Sequence, residues 1–321
     1  MTRLLQLSVA MLLAGGTVAA AAQGYPERPL RFLVPWPPGG GADNLGRIVS
    51  TVVSERLGQP VVIDNRPGAG GNIAAEVVSK AAPDGYTLLQ ANVSHAISIS
   101  LYRKLNYDLE RDFAPVTELA SIPFLLAVSP SINAPTVKEL IARAKAKPGE
   151  LTYASSGVGG PSHLAMELFK STAGVDIRHI PFKGGVPGAT ALMAGSVQAM
   201  FFTVSAALPL INTGRLKWLA IASASRSPLV PDLPTMAEAG LPGVEATTWF
   251  GVMVPRATSA AVMGKLHSAF VAALKTPDVR DRVVKQGFDI VGSDPAQFAA
   301  FVKVEIPKWA RVVKASGAKA D

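Results

Sequence analysis

A chain of 321 residues that is 49% hydrophobic has material for about two domains' worth of core and is not a disordered composition. The formal charge of +8 raises the question of nucleic acid, but its Lys and Arg are scattered: the densest run, 142–150, alternates with alanine as a solvated helix face would, and no basic stripe is interleaved with aromatics. The absence of cysteine excludes disulfides, thiol chemistry, a Cys-ligated metal and a lipid anchor on a cleavage-site cysteine.

The first segment reads as a secretory signal. Arg3 precedes an apolar run at 4–16, and small residues follow, with cleavage expected after Ala22 in the pattern Ala20-x-Ala22. The run is short for a membrane span. The expected destination is the periplasm, which lacks a supply of ATP and nicotinamide cofactors.

Strands and helices then alternate. Strands at 30–36, 60–66 and 87–92, each followed by a helix (42–58, 72–83, 94–105), predict an α/β domain with a parallel sheet. A strand at 124–130 and a helix at 136–149, with Thr136 as N-cap and Glu139 at the capping-box position, open a second unit. Strands at 151–156, 176–182, 197–204 and 216–223 alternate with helices at 161–174, 186–196 and 207–215. Helices at 258–277 and 295–316 end the chain, the last expected to kink or break at Pro307.

Two loops stand out, "VPWPPGGGADN" (34–44) and "YASSGVGGPSH" (153–163), one early in each half. Both run from strand through Gly and Pro into a helix. A helix N-terminus offers unpaired N–H groups and about half a positive charge, and glycine lets the backbone approach a ligand. Two facing termini would clamp a carboxylate or phosphate; the alternative is that Gly and Pro only build tight turns. Sharper motifs fail. The first loop lacks the Lys-Ser/Thr of a P-loop, and Gly68-x-Gly70 is followed by Ile73 where a dinucleotide loop needs its third glycine. There is no Gly-x-Ser-x-Gly elbow, and His95, His163, His179 and His267 have no metal-ligand spacing, so neither catalytic residues nor a metal or other cofactor are expected. The Ser-His pairs at 94–95 and 162–163 are not nucleophile and base, because neighbours on a helix diverge.

The motifs at 34–49, 58–89 ("GQPVVIDNRPGAGGNIAAEVVSKAAPDGYTLL"), 101–120, 147–170, 179–185 ("HIPFKGG"), 226–251 and 305–317 ("EIPKWARVVKASG") resemble, in order and spacing, the Bug family of extracytoplasmic solute receptors of tripartite tricarboxylate transporters. The resemblance implies a type II periplasmic-binding-protein (Venus flytrap) fold: two α/β lobes, 23–122 plus 247–321 and 123–246, joined by two crossover segments. It implies a small carboxylate ligand held by the glycine loop of each lobe, partly through water, and delivered to transporter membrane subunits. Binding residues carried over are Pro37, Pro38, Gly39, Gly40, Gly41, Ala42 and Asp43; Asn92, Ser94 and His95; Ser155, Ser156, Gly157, Gly160, Pro161, Ser162 and His163; Phe182 and Lys183; and Thr203. Asp43 either stabilises the helix dipole or meets the ligand, and Lys183 pairs with the ligand or with a neighbouring acid. Many relatives have an acid where Thr203 stands, which could pair with a ligand amine; its absence weakens an amino-acid reading and leaves room for an amine-free acid. Val158 and Gly159 stand where polar residues are common, a hint of a less polar distal pocket. The expected protein is monomeric and binds no nucleic acid; the rival readings are a sensor that signals to a membrane kinase and a secreted hydrolase.

Overall fold

The structure is a computed structural model that describes residues 24–320; the expected signal peptide and its cleavage site lie outside them. Strand β1 (Leu30–Val34), buried except at Arg31, pairs in parallel with β2 (Val61–Asn65) and with β3 (Thr87–Asn92). Such a near-continuous apolar run suits a strand covered on both faces. Phe32 and Val34 join one core cluster and Leu33 the other, because successive side chains leave a strand on opposite sides. Helices α1 (Gly41–Leu57), α2 (Asn72–Ser79) and α3 (Val93–Leu101) follow these strands in turn.

The sheet is mixed rather than parallel. Strand β9 (Thr247–Pro255) lies antiparallel to β3 and to β4 (Phe113–Val128), and the short β10 (Asp289–Ile290) pairs with β4. The sequence reading assigns no strand at 247–255 and starts β4 at 124. The part of β4 before residue 124 contains Pro115 and Pro123, which argue against a strand interior, and the ladder accommodates this stretch with register shifts beside Pro115 and Glu118. In β9, Gly251 breaks the pattern. A side chain there would put its Cβ 2.2 Å from Phe298 Cζ, so only glycine lets the strand pass that ring.

The long strand β4 changes partners midway. Ile122 and Pro123 still pair with Thr248 and Thr247; from Phe124 onward the partners are β7 (Ala199–Thr203) and β8 (Lys217–Ile221). Strands β5 (Thr152–Ser155) and β6 (Arg178–Pro181) extend this second sheet in parallel from β7. Its helices are α4 (Val137–Ala146), α5 (Pro161–Ala173), α6 (Gly185–Met193) and α7 (Val204–Ile211). The chain thus forms two α/β lobes, crossing once along β4 and returning at β9.

Three helices complete the fold: α8 (Ala260–Leu274), α9 (Pro277–Lys285), absent from the sequence reading, and α10 (Pro295–Ser316). Of the kink or break expected at Pro307, the break does not occur; α10 is a single helix with the proline inside it. Its capping box, Asp294 with Gln297, fixes one end. Its buried face, including Phe298, Val302 and Trp309, packs on β4, on α3 of the first lobe and on α5 of the second. Two residues before the proline, the buried Glu305 carboxylate accepts from Trp249 Nε1 at 3.1 Å, Trp309 Nε1 at 2.7 Å and Lys308 Nζ at 2.7 Å, tying the helix to β9. Tertiary packing outweighs the hydrogen bond that proline removes.

Candidate functional site

A cavity of about 480 Å³ opens where the two lobes meet. From the first lobe it is lined by Trp36, Pro37, Pro38, Gly40, Gly41 and Ala42 at the end of β1, by Asn92 and Ser94 after β3, and by Phe250; from the second by Pro161, Thr203 and Ser205; and from the two crossing strands by Ile122 and Thr248. All the strand ends involved are carboxyl ends or crossings, where open α/β sheets place their ligands. Among the described residues, no charged side chain is in the lining.

Four helices begin at this cavity, and their caps differ. Helix α3 is closed by its own N-cap: Asn92 Oδ1 accepts from Ser94 N–H at 3.0 Å. Helix α7 is closed by Thr203 Oγ1, which accepts from Ala206 N–H at 3.4 Å. Helices α1 and α5 have Gly40 and Gly160 as N-caps, and neither has a side-chain cap. Their first-turn N–H groups and the positive ends of their dipoles therefore remain available to a ligand. Pro161 at N1 of α5 costs that helix nothing, since the missing N–H has no intrahelical partner there.

Asp43 is buried, 1% exposed, and faces its own loop. Its Oδ2 accepts from Gly39 N–H and Arg47 Nε, each at 2.9 Å, and its Oδ1 from Asn65 Nδ2 at 2.9 Å. Burial acts to raise its pKa, but the bonds from Arg47, Gly39 and Asn65 outweigh burial and hold the carboxyl below the usual range. Asn65 Nδ2 also donates to Trp36 O at 2.9 Å, so one acid and one amide hold both ends of the glycine loop.

His95 likewise lies outside the cavity lining. It is fully buried, its Nδ1 accepts from Asn92 N–H at 3.0 Å, and Nε2 therefore carries the proton that reaches Gly71 O at 3.3 Å. Gly71 has φ +100°, and a Cβ there would come within 3.1 Å of that ring. Burial pushes the His95 pKa down to about 4, so the ring is neutral.

The second glycine loop is shaped from behind. Ser156 N–H donates to Ser162 Oγ at 3.1 Å, and the two hydroxyls are 2.9 Å apart. Gly159 N–H donates to His163 Nδ1 at 3.0 Å, and Ser155 Oγ sits 2.6 Å from His179 Nε2. The rings of His163, His179 and Tyr153 stack in sequence, with centroids 4.0 and 4.7 Å apart, and Tyr153 OH donates to Glu167 at 2.5 Å. Burial is the main cause that lowers both histidines to about 4, with Lys170 adding to it at His163 and His163 adding to it at His179. His179 is not among the binding residues expected from the sequence; nothing in its spacing announces Ser155, 24 positions away in another strand, as its partner.

The structure thus brings Pro37, Pro38, Gly40, Gly41, Ala42, Asn92, Ser94, Pro161 and Thr203 to one cavity. Gly39, Asp43, His95, Ser155, Ser156, Gly157, Gly160, Ser162 and His163 form the loops beneath it without lining it. Phe182 is half-buried and Lys183 exposed on the loop after β6, neither of them in the lining. Trp36, Ile122, Ser205, Thr248 and Phe250 are lining residues absent from the sequence list. Trp36 adjoins the glycine loop and Ser205 lies two residues past Thr203; Thr248 and Phe250 belong to the unread strand β9.

The family described as tripartite tricarboxylate transporter family receptor matches residues 45–318. Protein BugT of Bordetella pertussis is 38% identical over 322 residues, covering 99% of each chain. Among solved structures, that of R. palustris Rpa4515 with adipate superposes with a TM-score of 0.78 at 37% identity, over 92% of this chain and 99% of that one. MatC from Rhodopseudomonas palustris with bound malate gives a TM-score of 0.75 at 34% identity, over 90% and 100%.

Proposed function

The chain belongs to the tripartite tricarboxylate transporter receptor family, and from that premise we propose that it captures a small, amine-free carboxylate between its lobes and hands it to the membrane subunits of such a transporter. It is a solute-binding receptor and not an enzyme. One observation carries the ligand class. Two helices capped by glycine, α1 from the first lobe and α5 from the second, begin at one cavity whose lining, among the described residues, holds no charged side chain. A carboxylate at each terminus would gain up to about 2 kcal/mol from each partly buried dipole. The bound adipate and malate of the two structural relatives are ligands of this class.

The lining also favours particular carbon bodies. Trp36, Ile122 and Phe250 offer apolar walls, and the polar groups are neutral: Asn92, Ser94, Thr203, Ser205 and Thr248. An ammonium group would find no carboxylate, and Thr203 occupies the position where an acid would supply one. The ligand contacts are Pro37, Pro38, Gly40, Gly41, Ala42, Asn92, Ser94, Pro161 and Thr203; Gly39, Asp43, His95, Ser155, Ser156, Ser162 and His163 hold the loops in shape. The proposed lobes are 23–122 plus 247–321 and 123–246. They close about the strand crossings, and the ligand stabilises the closed state by touching both. Residues 1–22 serve as the export signal to the periplasm.

The test is a thermal-shift panel on the purified, ligand-free chain that compares adipate and malate with their amino-bearing analogues. An amine-free dicarboxylate is expected to raise the midpoint and its amino analogue to leave it unchanged. A flat response, or a preference for the amino acid, would overturn the reading.

A further inference from the structure

The two crossing strands have a second cavity on their other face. Ile122 and Thr248 line the carboxylate cleft; their neighbours Ser121 and Thr247 line a separate cavity of about 470 Å³. This follows from the two-residue period of a strand. Its remaining walls come from Glu118 on β4, from the 223–228 loop and Glu245 of the second lobe, from Asp289 on β10, and from Phe301, Glu305 and Lys308 on α10.

Four carboxylates and two cations face this space, and the cations are already engaged. Lys308 Nζ donates to Glu305 Oε1 at 2.7 Å, and the other Glu305 oxygen is taken by two indole N–H groups. Arg226 Nε donates to Glu238, 2.9 Å away, and its Nη1 donates to Pro231 O at 3.2 Å. Glu118 is different. It is only 7% exposed, its backbone N–H and carbonyl bond to Ser293 and Gly292, and no hydrogen bond or ion pair among the described residues reaches its carboxylate. Burial disfavours the ionised carboxylate, and a cation placed against it in the cavity would offset that cost. Half-buried Asp289 and exposed Glu245 add two more carboxylates without an ion-pair partner among the described residues on the same walls.

We propose that this cavity binds a small alkylammonium compound, anchored by the Glu118 carboxylate. Among the described residues no three His, Asp or Glu side chains are gathered to hold a metal ion, and the volume accommodates a body of several carbons. Phe301 and Pro228 supply apolar wall for that body, and the Ser121, Ser223 and Ser225 hydroxyls offer further acceptors for N–H donors. Burial and the nearby Glu305 raise the Glu118 pKa to about 7, so an ammonium at this place converts a poised carboxyl to its ionised form. The site lies on residues of both lobes beside the crossings, on the face opposite the carboxylate cleft.

The experiment is isothermal titration of the whole chain with 1,4-diaminobutane at pH 8 and low ionic strength, repeated with Glu118→Gln, with tetramethylammonium, which has no N–H, and with CaCl₂. Saturable one-to-one binding of the diamine is expected. It should weaken roughly tenfold or more in Glu118→Gln, the size of a lost charged hydrogen bond, and equally for tetramethylammonium. Glu118→Gln removes a buried charge and so is expected to melt no lower than wild type at pH 8, which separates loss of the site from loss of the fold. Absence of saturable binding, undiminished binding by Glu118→Gln, or equal binding of CaCl₂ would each overturn the proposal.

Discussion

Replacing Asp43 by alanine separates a loop-holding role from direct ligand contact. The wild-type carboxylate receives three donors, Gly39 N–H, Arg47 Nε and Asn65 Nδ2, and sits in the first turn of α1. Charged hydrogen bonds contribute about 1.5–3 kcal/mol each when buried. Gly39 is exposed, however, so water can replace its partner, and Asn65 keeps its bond to Trp36 O. The Arg47 side chain is 52% exposed, so its ion pair adds at most about 1 kcal/mol. With a few tenths from the helix dipole, the expected loss is about 3 kcal/mol, or roughly 6–9 °C in melting temperature for a chain of this size. The folded carboxyl titrates below its unfolded value. Its stabilising contribution is therefore fully present above the ordinary aspartate pKa and disappears as pH falls through the folded one. Calorimetry of wild type and Asp43→Ala should show a constant gap from about pH 5 to 8 that closes below about pH 4. Equal melting temperatures at pH 7 would refute the loop-holding argument, and a variant with unchanged melting that no longer responds to carboxylate would place the side chain on the ligand.

Other outcomes follow from single residues. His95 is held neutral with a pKa of about 4; the unfolded chain binds the extra proton near pH 6.5, so stability should fall with decreasing pH between these values by up to about 1.4 kcal/mol per unit, and urea unfolding of His95→Gln at pH 7 and 5 should show a smaller difference than wild type. Thr203→Asp places a carboxylate in an uncharged cavity, and titration should show the best amine-free ligand weakened roughly tenfold or more. Gly251→Ala drives a Cβ against Phe298 Cζ and to 3.0 Å from Thr117 O, and should cost about 1–3 kcal/mol in denaturant unfolding with little change in ligand selectivity.

Most of the helical part of the fold was legible because its signals are local, although α9, directly after α8, went unread. Thr136 caps α4 with its hydroxyl on Glu139 N–H as the spacing predicts, and the Gly/Pro loops do open α1 and α5. What escaped was non-local. The part of β4 before residue 124 carries prolines and a glutamate that local rules read as a break, and only its place between β9 and β10 makes it a strand. Pro307 survives inside α10 because packing against both lobes supports the helix. At the site, the lining glycines and prolines were readable as loop chemistry. The division of labour between lining residues and those beneath them was not, since Asp43 and His95 carry the same signal whether they face a ligand or their own loop. Trp36 and Phe250 became site residues only when the strand ends converged.

The most direct test of carboxylate capture is a co-crystal structure of the chain with the dicarboxylate that most raises its melting temperature. The account predicts one carboxylate within roughly 3 Å of the N–H groups at the start of α1, near Gly41 and Ala42, and contact at the other end with the start of α5, near Ser162, the two lobes closed on the ligand. A ligand seated elsewhere, or held by one lobe's side chains with both helix termini empty, would contradict it.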